Sequence, residues 1–132
     1  REGIDKGIDA VEKVNSKLAT IREVQEIATR SAACINRIRK VYDMISKMDL
    51  GVRQTTDLLQ MCNRATRDCI DVTAYGAQSF SYNFLKMNDA ERLTETRKVL
   101  DDIDKLLVRT GYISTQARAI RFNNQLIDAY IH

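Results

Sequence analysis

Cys34, Cys62 and Cys69 are the side chains of this sequence best suited to chemistry, and their spacing limits what they can do. Cys62 and Cys69 stand a heptad apart, about 10 Å along a helix, which is too far for a bond between them. If the flanking helices turn back at Gly51, Cys34 falls about two residues from the level of Cys69. A Cys34–Cys69 disulfide is then a candidate in an oxidising compartment. The alternative is that all three are small apolar core residues. The single histidine, His132, is the last residue. It offers no Ser-His or Cys-His pair and no histidine metal site. Asp101, Asp102 and Asp104 cluster without the turn glycine of a calcium loop and read as a solvated face. The five glycines are scattered, so no phosphate-cradling loop is present. Catalytic, cofactor-binding and metal-ligating residues are therefore not expected, nor is a small-molecule substrate, and the chain does not read as an enzyme.

Four of the eight aromatic residues crowd into Tyr75, Phe80, Tyr82 and Phe84. They either plug one end of a bundle or form a contact patch of the kind that anchors protein interfaces. Arg37, Lys40, Lys47 and Arg53 surround their helix rather than align on it, and only Tyr42 is interleaved with them. A solvated face is favoured over a nucleic-acid surface.

The elements that must position these residues are helical. Ile4, Ile8, Val11, Val14, Leu18, Ile21, Val24, Ala28, Ser31, Ile35, Ile38, Tyr42, Ile45 and Met48 make thirteen steps over 44 residues, a mean near 3.4. That is close to the coiled-coil repeat of about 3.5 and far from the strand period of 2. No proline interrupts it. The first break falls at Gly51, suited to the left-handed conformation that ends helices. A second stripe runs Val52, Thr55, Leu59, Cys62, Ala65, Cys69, Val72, Gly76 and Phe80. The next break ends at Asn88, where Glu91 three residues on completes a capping box. The third stripe runs from Leu93 through Ile103 and Ile113 to Ile131, and Gly111 interrupts it with either a kink or a true stop.

The spacing predicts an all-α fold, an elongated antiparallel three-helix bundle with coiled-coil-like packing. Its helices span about 3–49, 52–85 and 89–131, in one domain covering 1–132. The first helix overhangs the Met87 end in this reading, and Phe122–His132 overhang the Gly51 end. Uncovered stripe at both ends predicts a homo-oligomer or a neighbouring segment. The composition agrees: 44% of residues are apolar and 30% charged, the formal charge is only +3, and no apolar run approaches a membrane span. The chain begins at Arg1 rather than Met, which a removed export signal and a trimmed N-terminus would explain equally well.

The passage Leu85-Lys86-Met87-Asn88-Asp89-Ala90-Glu91-Arg92-Leu93, followed by a long helix, resembles the helix-cap-helix passage of TraI-like helical proteins of Bacteroidetes conjugative transposons. Arg39-Lys40-Val41-Tyr42 is similar in character. The resemblance implies a non-enzymatic structural or assembly component of a type IV secretion-like mating apparatus. It also implies export to the periplasm and partners among the other apparatus subunits. The family offers no catalytic residue, and the three cysteines depart from its pattern. The other reading is an intracellular, cytoplasmic helical adaptor or oligomerisation module unrelated to conjugation.

Overall fold

The computed structural model describes residues 1–18, 25–82 and 86–131, with backbone alone for 14–18, 77 and 79–82. These form four helices: α1 Glu2–Leu18, α2 Gln25–Lys47, α3 Val52–Tyr82 and α4 Asp89–Ile131. The protein is an all-helical bundle.

The three-helix expectation is corrected at its first element. Arg1, just ahead of α1, reaches Asp43 of α2 with its guanidinium at 2.6 Å. Gly3 lies beside Asn63 and Gly7 beside Thr66 of α3. α1 therefore runs antiparallel to α2 and lies back on the α2–α3 hairpin instead of overhanging the Met87 end. The physical reason is burial. A straight continuation leaves Ile4 and Val11 in water, whereas the reversal places both in the core, with roughly 1.5–3 kcal/mol at stake for each large aliphatic side chain.

α2 and α3 form the centre, α1 packs against both from one side, and α4 packs against both from the other. The buried stripe of α2 is Ile27, Ser31, Cys34, Ile35, Ile38, Val41 and Ile45. Leu58, Cys62, Ala65 and Cys69 face it from α3. α4 adds Val99, Ile103, Leu106, Ile113 and Ala117. Three buried threonine hydroxyls are held by their own helices, which removes the cost of an unmet donor. Thr66 donates to Cys62 O, Thr73 to Cys69 O and Thr110 to Leu106 O, at 2.9, 2.7 and 2.8 Å. Ser31 is fully buried, and its hydroxyl finds no partner among the described residues.

The two breaks are local devices. Gly51 has φ +88°, a conformation that costs a residue with a Cβ about 1–2 kcal/mol, and Leu50 beside it is buried. At α4, Asn88 Oδ1 accepts the Glu91 N–H at 2.8 Å, the cap the sequence predicts. The return bond differs in detail, since the Glu91 carboxylate accepts from the Asn88 side-chain amide at 2.8 Å. Asn88→Ala is expected to lower stability by about 1 kcal/mol, measured as the urea midpoint, because it leaves an N-terminal N–H of α4 without its acceptor. An unchanged midpoint would show that water replaces the cap at no cost.

α4 runs through Gly111 as one helix of 43 residues, about 65 Å long, without the expected interruption. Arg30 of α2 reaches Asp104 at 3.2 Å, and Arg109 reaches Asp68 of α3 at 2.5 Å. These partly exposed pairs contribute little stability, but they fix the level of α4. By that level α2 ends near Arg121, and α4 continues beyond it.

Candidate interaction surface

Cys34 and Cys69 meet across the α2–α3 contact as free, buried thiols. The Cys34 thiol bonds to Cys69, which together with burial holds Cys34 well above its ordinary value. Cys69 is lowered, first by accepting from Cys34, against the opposing effect of its own burial. Burial pushes the Cys62 thiol up to about 11. A thiolate is the reactive form, which is disfavoured at Cys34 and Cys62, and all three side chains are fully buried, so none is poised to act as an exposed nucleophile. In reduced, folded protein all three are expected to resist alkylation at pH 8 and to titrate as three thiols after unfolding. Fast labelling of the native state would contradict the packing described.

Of the predicted aromatic patch, Tyr75 is exposed. Lys98 lies over its ring at 5.1 Å and donates to its hydroxyl at 3.2 Å. That bond, followed by the nearby Tyr75 and Glu95 charges, raises Lys98 above its usual value. The Tyr75 hydroxyl also approaches Glu95 at 3.4 Å. Tyr75 is thus tied into the α3–α4 contact. The side chains of Phe80 and Tyr82, and Phe84 as a whole, lie outside the described residues. In the acidic group, Asp104 pairs with Arg30. No group of three metal-ligating side chains is found among the described residues.

Half of the large apolar side chains exposed among the described residues lie where the sequence reading placed an uncovered overhang. Past the end of α2, α4 presents Phe122, Leu126, Ile127, Tyr130 and Ile131 to solvent. Ile127 and Ile131 continue the core stripe after its covering helices have stopped. Arg121, Asn124, Gln125 and Asp128 rim a cleft of about 500 Å³ between this tail and the Asp49–Gly51 turn. Further back, Val108 is 74% exposed and Tyr112 57%. The sequence reading missed these two because it followed one stripe along α4. The signal was present: Val108, Tyr112, Thr115, Ala119, Phe122, Leu126 and Tyr130 recur every three or four residues on the other side.

The fold and this surface define a helical bundle whose last helix has more apolar face than the described residues cover. No helix among the described residues is long and apolar enough to cross a membrane. Comparison of the chain with protein-family models, curated proteins and solved structures finds no match.

Proposed function

We propose that this protein is a non-enzymatic assembly component of a conjugative, type IV secretion-like transfer apparatus, an elongated coiled-coil-like bundle that binds a neighbouring subunit through the tail of α4. The observation that carries the binding is the unsheltered core stripe at Ile127 and Ile131, beside the cleft at the α2–α3 turn. A stripe at helical spacing fits the apolar face of a partner helix. The assignment to conjugation is supported by the resemblance around the Asn88 cap, and export to the periplasm comes with it. A periplasmic setting supplies the oxidising conditions in which the adjacent Cys34 and Cys69 thiols would close into a disulfide. Protein isolated without reductant would then titrate as one thiol rather than three.

The test is a mating assay on the element that encodes the chain. Deletion of the gene is expected to reduce transfer at least a hundredfold, with wild-type protein in trans restoring it and Ile127→Glu/Ile131→Glu failing to restore it. Unchanged transfer on deletion rejects the conjugative role and favours the cytoplasmic adaptor reading.

A further inference from the structure

Gly111 sits in the middle of an unbroken 43-residue helix, and a Cβ built on it meets nothing within 4 Å. Glycine in a helix interior costs about 1 kcal/mol relative to alanine. Neither a turn nor a close approach among the described residues accounts for it. Around it, Asp101, Asp104, Val108, Thr115, Arg118 and Phe122 are all exposed. With Gly111 they recur at steps of three and four residues, the spacing of a coiled-coil seam. At about 100° per residue this line lies opposite the side that buries Val99, Ile103, Leu106, Ile113 and Ala117. α4 therefore has one face for the bundle and a second face for something else.

We infer that the second face of α4 binds a second copy of this chain as an antiparallel helix pair crossing near Gly111. The charges are self-complementary in that arrangement. Acidic Asp101 and Asp104 precede Gly111, while basic Arg118 follows it. In a two-fold antiparallel pair, a residue before the centre meets one after it on the other copy. Setting Val108 over the open space at Gly111 of the second copy brings Asp101 level with Arg118, twice by symmetry. The same register brings Arg97 level with the ring of Phe122, a cation–π geometry. It also brings exposed Leu93 level with exposed Leu126. A parallel pair would instead set Asp101 and Asp104 against themselves. Aromatic side chains bury roughly 150–250 Å² each. With Tyr112, Phe122 and Tyr130 on this side, the surface approaches the roughly 800 Å² per partner of a standard interface. The inference rests on the reading of the chain as an interaction protein, but it uses the side of α4 turned away from Ile127 and Ile131.

Sedimentation equilibrium of the 132-residue chain is expected to give twice the 15.1 kDa monomer mass at tens of micromolar. Gly111→Leu should weaken the dimer at least tenfold while leaving the circular-dichroism melt of the diluted monomer unchanged or raised, because the site is open within one chain. Arg118→Asp should weaken it comparably, and Asp101→Arg/Arg118→Asp should restore it. A chain that stays monomeric at about 0.1 mM overturns the inference and leaves partner capture at the tail intact. A dimer insensitive to both Gly111→Leu and Arg118→Asp also overturns it, since self-association then uses another surface.

Discussion

Ile38→Ala should destabilise the protein by about 2–5 kcal/mol, lowering the melting temperature by on the order of 10 °C. Ile38 is fully buried on α2, the helix that α1, α3 and α4 all contact. Truncation removes three methyl or methylene carbons from a site walled on several sides, so the remaining cavity cannot collapse freely. Ile38→Val deletes one carbon and should cost about 0.5–1.5 kcal/mol. Urea denaturation of both variants gives the measurement. A graded loss with an unchanged slope supports a single cooperative core, whereas a loss below about 1 kcal/mol for alanine would show that α2 is not the centre.

Gly7→Ala should cost about 1–3 kcal/mol, in spite of the roughly 1 kcal/mol that alanine adds to helix propensity. The new Cβ would lie 2.5 Å from Thr66 Cγ2 and 3.4 Å from the Cδ1 atoms of Ile35 and Ile70. Thr66 cannot easily yield, because it is buried and its hydroxyl is engaged with Cys62 O at 2.9 Å. The strain falls on the α1–α3 contact, so amide exchange should rise in α1 before it rises in α2 or α3. Thr66→Ser removes the offending methyl and keeps the hydroxyl. Gly7→Ala/Thr66→Ser should therefore recover most of the loss, and the double-mutant cycle should show a coupling above 0.5 kcal/mol. A more stable Gly7→Ala single variant would mean that α1 stands farther from α3 than described.

What could be read from sequence depended on how local its cause was. The stop at Gly51 and the start at Asn88 were legible because a positive φ and a side-chain cap are properties of a few adjacent residues. The nearness of Cys34 and Cys69 was legible because a short turn sets the level of the two helices it joins. The reversal of α1 against α2 was not legible. Ile21 and Val24 keep the apolar phase from Leu18 to Ala28, and neither glycine nor proline marks the change of direction. The close approach of Gly7 to Thr66 was not legible either, because it depends on how α1 sits against α3.

The sequence by itself determined that the chain is helical, that its helices are one-sided over most of their length, and where two of its turns lie. Those follow from periodicity and from backbone preferences that each segment carries alone. The apolar overhang of the last helix also followed from the helix lengths, whereas only the tertiary structure decided that there are four helices, that α1 closes over the α2–α3 hairpin, and that α4 has a second exposed face. A periodic pattern specifies that a stripe needs cover, but whether cover arrives depends on the lengths and directions of other helices, which no local preference encodes.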